Sequence, residues 1–188
     1  LLLALSPGTV RPFLGENGEI LPDSIAEKIK VEINGVDQGM IIRGRNINNP
    51  VLLFVHGGPG MPEYFVSHYN ENPLEDIFTV CWWDQRGAGL SYDAGLTAED
   101  ITLNNPVEDA VGVTNYLRER FGQDKIYLMA HSWGTVPGIH TAKAAPELYH
   151  AYIGMAQMTG LPGMEKVSVD HLAGLYRQKG QAQMARKV

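Results

Sequence analysis

The sequence is poor in the residues that build disulfide frameworks, metal centres and nucleic-acid surfaces. Cys81 is the single cysteine and lies in an apolar run, so disulfides and CxxC pairs are excluded and a buried thiol is expected. The six histidines are scattered without an HExxH motif or a Cys/His cluster, so we predict no metal and no cofactor. With a formal net charge of −6 and no basic cluster, we also predict no nucleic-acid partner.

Apolar runs long enough to cross a membrane are absent as well. The run LLLAL at residues 1–5 is far shorter than the roughly 20 residues that a membrane-spanning helix needs. It has two interpretations: the trimmed end of a signal or anchor segment, implying a membrane-anchored or secreted protein, or a short apolar arm of a cytoplasmic one. What is present, 44% hydrophobic and 19% charged residues in 188, is typical of one globular domain.

Strand and helix signals alternate along the chain. The sequence KIKVEINGVDQGMIIRG predicts a hairpin, because Asn34-Gly35 favours the positive φ of a two-residue turn. Apolar runs predict four further strands, at residues 51–55, 77–83, 125–130 and 151–156. A helix is predicted with Asn105 as its cap, Pro106 at its first position, Asp109 near its positive end and Gly122 at its end. A second helix is predicted from Ser132 to about residue 148.

This order predicts an α/β fold with a mostly parallel sheet flanked by helices, whose site lies at the carboxyl ends of the strands. Three motifs follow predicted strands: HGGPG at 56–60, DQRGAGLS at 84–91 and AHSWG at 130–134. A sharp strand-to-helix turn with small neighbours such as Gly134 would expose the Ser132 hydroxyl as a nucleophile. The N–H of Gly57 or Gly58 could then pair with that of Trp133 as an oxyanion hole.

Together the three motifs resemble the α/β-hydrolase fold, specifically the proline iminopeptidase group of serine peptidases, over residues 31–158. The resemblance implies that Ser132 is the nucleophile and that Gly58 and Trp133 provide the oxyanion-hole amides. The residues expected to support the site are His56, Pro59, Gly60, Asp84, Gln85, Arg86, His131 and Gly134. Of these, Asp84 and Arg86 are expected to be structural ion-pair residues.

Three positions depart from that family's pattern. Ala130 stands where the family usually has glycine, and His131 stands where it often has glycine. Histidine at position 131 is common in other α/β-hydrolases. Pro137 falls early in the helix after Ser132, where a proline beyond the first turn would remove a backbone hydrogen bond. An esterase or lactonase that uses the same serine is therefore an alternative to a peptidase.

The remaining members of a catalytic triad are not predicted within this chain. The acids after Ser132 are Glu147, Glu165 and Asp170, and the histidines are His140, His150 and His171. His140 lies too far along its helix, His150 precedes a strand at the opposite end of the sheet, and the neighbours Asp170 and His171 cannot face each other. In the family the acid and the base follow an inserted helical cap, whose start the segment from Leu161 resembles.

The resulting domain prediction is an N-terminal extension at 1–27, the front part of the hydrolase core at 28–160, incomplete at its C-terminal side, and the start of a cap at 161–188. The predicted function is a serine hydrolase, most simply an aminopeptidase acting on small peptides, with this piece alone inactive. A truncated, non-catalytic domain used for binding is a further alternative. An open sheet edge predicts completion by a second chain or self-association.

Overall fold

A computed structural model of the chain describes residues 9–65, 73–102 and 104–187. Two compact units are present, one ending at Gln157 and the other beginning at Met158. The apolar run at residues 1–5 lies outside the described residues. Within the ranges given, the helices are too short or too polar to cross a bilayer.

The first unit opens with the predicted hairpin. Strands β1 (Ile25–Ile33) and β2 (Val36–Gly44) are antiparallel, with Ile33 paired to Val36. Asn34 and Gly35 form the turn with φ angles of 52° and 75°. The prediction is confirmed, because both turn residues adopt the positive φ that asparagine and glycine tolerate best.

Six strands form one sheet in the order β1-β2-β4-β3-β5-β6. The four strands that follow the hairpin are β3 (Val51–Val55), β4 (Thr79–Trp83), β5 (Ile126–His131) and β6 (Tyr149–Met155). These four are mutually parallel, whereas β2 is antiparallel to both of its neighbours. The predicted mostly parallel sheet is confirmed, and β3 and β4 are buried along their whole length.

Strand β4 starts two residues later than predicted. The N–H groups of Ile77 and Phe78 both donate to the carbonyl of Leu74, at 3.1 and 2.9 Å, and so close a turn before the strand. Inside β4, Cys81 is fully buried, as expected, and its sulfur lies 3.6 Å from that of Met40. Burial raises the pKa of the Cys81 thiol, so the group stays protonated.

Three helices are described: α1 (Asn105–Phe121) and α2 (Thr135–Ala144) in the first unit, and α3 (Leu161–Gln178) in the second. Gly122 ends α1 with φ 61°, as predicted. The predicted cap is wrong, because Asn105 lies inside the helix and its Oδ1 accepts hydrogen bonds from Thr102 instead. Helix α2 ends at Ala144, and Pro146–Leu148 form a separate 3-10 turn.

The core lies on both faces of the sheet. The larger cluster joins α1, through Ala110, Val113 and Leu117, to inward residues of every strand. A smaller cluster on the opposite face is built on Leu52, Phe54, Val80 and Trp82. Because both faces of the central strands are packed, their carboxyl ends form a rigid rim, which carries all three motifs.

Candidate active site

Ser132 lies at the turn between β5 and α2. Residues Ser132–Gly134 form a single 3-10 turn, and α2 begins at the next residue. The φ of Ser132 is 50°, in the left-handed region where a residue other than glycine is strained by about 1–2 kcal/mol. The hydroxyl of Thr135 donates to the Ser132 carbonyl at 2.6 Å and helps to hold the turn. The half-buried Ser132 is thus placed on a sharp strand-to-helix turn, the geometry expected of a nucleophile elbow.

Two glycines bring this turn against the HGGPG loop. A β-carbon at Gly57 would lie 3.1 Å from both the Ser132 β-carbon and the His131 carbonyl oxygen. A β-carbon at Gly134 would lie closer than 3.0 Å to the carbonyl oxygens of Val55 and His56, and backbone atoms cannot easily move away. The absence of a side chain at both positions therefore allows the loop and the serine turn to lie this close together, and the requirement is stricter at Gly134.

The structure accounts for two of the departures noted in the sequence. A β-carbon at Gly138 would lie 2.7 Å from that of Ala130, so the small residue on α2 makes room for alanine in place of glycine. Pro137 falls within the first turn of α2, where backbone N–H groups have no partner in the helix anyway. Its carbonyl accepts a hydrogen bond from the Thr141 hydroxyl at 2.8 Å. Neither residue disturbs the turn at Ser132.

The amides of the HGGPG loop are not equivalent. The Gly57 N–H donates to Oε1 of Glu63 at 2.9 Å, so it is already engaged. The next amide, that of Gly58, belongs to an exposed residue with φ 115°. Pro59 and Gly60 follow it, also exposed, and the peptide between Gly58 and Pro59 is cis. Of the two amides predicted for this side of the oxyanion hole, that of Gly58 remains the candidate.

His56 fastens the HGGPG loop to the DQRG segment. Its Nδ1 lies 2.9 Å from the Gly57 carbonyl, and its Nε2 accepts the Gln85 backbone N–H at 3.1 Å. The Gln85 side chain donates in return to the His56 carbonyl at 2.8 Å. Burial lowers the pKa of His56, although the bond to the Gly57 carbonyl opposes that shift. Both ring nitrogens are occupied, so His56 supports the loop and cannot serve as a base for Ser132.

Asp84 and Arg86 do not form an ion pair with each other. Arg86 forms a two-bond ion pair with Asp109 of α1, with both N···O distances at 2.9 Å. Asp84 instead accepts the Leu90 N–H at 2.7 Å, and its carbonyl accepts the Ser91 hydroxyl. In the described parts of the chain no cation pairs with Asp84, so its expected role as an ion-pair residue is corrected to that of a loop-closing acceptor. Burial raises the pKa of Asp84 to about 6.

The sequence analysis missed Glu63, which is central to the geometry. Oε1 of Glu63 accepts from the Gly57 N–H and lies 2.8 Å from Nδ1 of His131. The HGGPG loop and the residue before Ser132 thereby share one carboxylate oxygen. No sequence pattern around Glu63 predicts this contact, because its partner His131 lies 68 residues away in the chain.

Within the described residues of the first unit, neither His140 nor His150 lies at the Ser132 turn. Among the residues that the structure describes, none hydrogen-bonds the Ser132 hydroxyl. His140 is exposed on α2, and His150 stacks its ring 5.1 Å from that of Tyr127, at the start of β5. In the second unit, Asp170 pairs with Lys166. That the acid and the histidine of the triad lie outside this chain stays a prediction.

A groove of about 550 Å³ lies between α1 and α2, and the Trp133 side chain lines it together with His140 and Lys143. Ser132 is not among its lining residues, so this groove is not a pocket around Ser132. The described residues also contain no cluster of histidine, cysteine, aspartate or glutamate that could hold a metal ion.

Residues 50–184 match the family model described as the alpha/beta hydrolase fold. This chain therefore belongs to the α/β-hydrolase family, and the predicted fold class is confirmed. Among its relatives are a probable aminopeptidase, YbaC, from Bacillus subtilis (37% identical over 83% of this chain and 49% of the relative) and a proline iminopeptidase from Saccharolobus solfataricus (30% over 64% and 36%).

Among solved structures, a proline iminopeptidase-related protein from Thermus thermophilus matches with a TM-score of 0.65 at 24% identity. The match covers 87% of this chain and 56% of that one. At this identity the likeness shows the fold alone. The chain spans about half the length of the relative YbaC and a smaller share of the Saccharolobus solfataricus iminopeptidase.

Proposed function

We propose that the chain carries the nucleophile and oxyanion hole of a serine hydrolase acting by acyl transfer, of the proline iminopeptidase type. The observation that carries the proposal is the strained turn of Ser132 held in contact with Gly57 of the HGGPG loop. A serine at a positive φ costs stability, and such strain is most often retained where function requires it.

In the proposed reaction the Ser132 Oγ attacks the carbonyl carbon of the substrate. The hydroxyl proton passes to a histidine that lies elsewhere in the natural protein, and the negative charge on the carbonyl oxygen is stabilised by the N–H groups of Gly58 and Trp133. Collapse of the tetrahedral intermediate breaks the scissile bond, the histidine protonates the leaving amine, and water then hydrolyses the acyl-enzyme.

The substrate class rests on the relatives, which carry the names aminopeptidase and proline iminopeptidase. We accordingly propose a small peptide with a free N-terminal residue as substrate, with cleavage after that residue. An ester or lactone substrate for the same serine remains the alternative, since the attack at Ser132 would be identical.

Labelling of the natural full-length protein by a fluorophosphonate probe tests the nucleophile. We expect labelling of the native protein and of Ser168→Ala, a control serine exposed on α3, and none of Ser132→Ala. Loss of Ser132 should also lower kcat by roughly 10⁴- to 10⁶-fold, as in other serine hydrolases. A native protein that the probe leaves unlabelled would favour the non-catalytic binding domain.

The substrate class is tested separately, by comparing kcat/KM for a proline aryl amide with that for a short-chain aryl ester. Faster turnover of the amide supports the peptidase. If the ester is turned over and the amide is not, the esterase alternative replaces it while the proposed role of Ser132 stands.

A further inference from the structure

We infer that Glu63 is a positioning residue, whose carboxylate sets the distance between the Gly58 amide and Ser132 by joining the HGGPG loop to the serine turn. The inference rests on the proposed function, since it presupposes that Ser132 attacks a carbonyl. It adds a residue that lies outside all three motifs.

The geometry that supports this is a shared acceptor. Oε1 of Glu63 receives the Gly57 N–H at 2.9 Å and Nδ1 of His131 at 2.8 Å. The Glu63 side chain is 15% exposed and Gly57 is buried, whereas the His131 side chain is 36% exposed, so the bond to the Gly57 N–H is the better shielded of the two. Hydrogen bonds to a carboxylate are about twice as strong as those between neutral groups.

Other contacts hold the loop, but to different parts of the fold. The Gly57 carbonyl is held by His56 and by the Met61 N–H, and His56 is tied in turn to Gln85. The two bonds of Glu63 form a side-chain link from the loop, at the Gly57 N–H, to the residue that precedes Ser132. Gly58 itself is exposed, and it lies in the turn that the Met61 N–H closes on the Gly57 carbonyl.

The consequence for catalysis follows from distance. The Gly58 amide is one peptide unit beyond the Gly57 amide that Glu63 holds, and a β-carbon at Gly57 would already touch Ser132 at 3.1 Å. An error of about 1 Å in placing a catalytic group can cost about 100-fold in rate. Releasing the loop from Glu63 should therefore weaken transition-state stabilisation more than substrate binding.

His131 is not placed to act as the base through this pair. It ends β5, its Nδ1 lies 2.8 Å from Oε1 of Glu63, and no hydrogen bond joins its side chain to that of Ser132 in the described structure. The pair acts on Ser132 through the backbone of Gly57 and of the turn.

The test measures kcat and KM in the natural full-length protein, per active site titrated with the fluorophosphonate probe. We expect Glu63→Ala to lower kcat by roughly 10- to 100-fold with KM within about twofold. Glu63→Gln should recover most of that loss, because its amide oxygen can still accept both bonds. Glu63→Asp, which keeps the charge but shortens the side chain, should not. Glu119→Ala, exposed at the far end of α1, is the control and should match the native protein.

A double-mutant cycle with His131→Ala completes the test. If both residues act through one bond, the double variant should be no slower than the slower single variant. Independent, additive losses would overturn the inference, as would a change in KM alone or a Glu63→Gln variant as slow as Glu63→Ala. Failure of the proposed function is distinguishable, because Ser132→Ala would then keep its activity whatever the Glu63 variants do.

Discussion

At the scale of single residues, the site depends on side chains that are missing as much as on those present. Gly57 and Gly134 stand where a β-carbon would meet the serine turn or the backbone of β3. Asp84 is a buried carboxylate that closes a loop without a cationic partner in the described structure. Each case gives a prediction that a single substitution can check.

Gly134→Ala should separate the serine turn from the HGGPG loop. Its β-carbon would overlap the carbonyl oxygens of Val55 and His56, which belong to the rigid rim of the sheet. We expect a loss of about 1–3 kcal/mol in the free energy of unfolding, measured in urea, together with loss of fluorophosphonate labelling. Gly174→Ala, on α3 with open space around it, is the control and should be neutral or slightly stabilising. Equal labelling of both variants would contradict the close approach.

Asp84→Asn should change how stability depends on pH. Burial raises the folded-state pKa from 3.8 to about 6, so the native state binds the proton more tightly than the unfolded chain does. Stability should therefore fall as pH rises from about 4 to about 6, by at most roughly 3 kcal/mol. The asparagine can still accept a hydrogen bond from the Leu90 N–H but carries no charge. The free energy of unfolding of the variant, relative to that of the native protein, should therefore rise across this pH window and stay constant above it.

The Asp84 prediction is checked by urea unfolding at intervals between pH 4 and pH 8. Asp100→Asn is a control of opposite sign, because hydrogen bonds from Thr97 lower the pKa of Asp100. Its stabilising contribution is present at neutral pH and is lost as pH falls through the lowered pKa, so that variant should be slightly less stable at pH 7. An Asp84→Asn variant whose stability follows the native pH dependence would show that the carboxyl titrates normally.

At the scale of elements, Asp109 joins three parts of the fold that are far apart in the chain. From α1 its carboxylate accepts hydrogen bonds from Nε and Nη2 of Arg86 in the DQRG segment and from the side-chain amide of Asn34 in the hairpin turn. Asp109 is fully buried and Arg86 nearly so. The sequence suggested that an acid at position 109 stabilises the helix dipole. The contacts of Asp109 with Arg86 and Asn34 are the larger part of its role.

Asp109→Ala should be strongly destabilising, by roughly 3–5 kcal/mol, because it leaves the Arg86 guanidinium buried without its partner. The measurement is the midpoint and slope of urea unfolding. Asp76→Ala is the matched control: its ion pair with Arg45 is half-exposed, and such pairs contribute about 1 kcal/mol or less. Similar losses in the two variants would mean that burial does not strengthen the requirement for a partner at Asp109.

The elements that the sequence predicted well are those with local causes. The hairpin follows from the positive φ of Asn34-Gly35, and the end of α1 follows from Gly122, both within a few residues of the feature itself. The serine turn was predicted because motif and strand are adjacent. The links from Glu63 to His131 and from Asn34 to Asp109 span 68 and 75 residues, and no periodicity encodes them. The position of β4 between β2 and β3 likewise depends on tertiary packing and not on local sequence.

At the scale of the whole molecule, the sheet of the first unit ends at β6 among the described residues. Strand β6 is at the edge, paired to β5 within the described sheet, and most of its residues are exposed. Near the C-terminal end of β6, the apolar side chains of Ile153 and Met155 are exposed. Unpaired backbone groups beside exposed apolar side chains form a template for another strand, which natural sheets usually protect with charge or cover.

We therefore expect the 188-residue polypeptide on its own to self-associate through β6. Sedimentation velocity should show species larger than the 20.7 kDa monomer, with a population that grows with concentration. Ile153→Lys places a charge on the edge strand and should shift the distribution toward monomer. The control is Ile139→Lys on α2, where the isoleucine is 44% exposed against 37% for Ile153 but lies on no strand edge. If both variants reduce association equally, general apolar surface drives it, and a monodisperse native monomer would refute association through this edge.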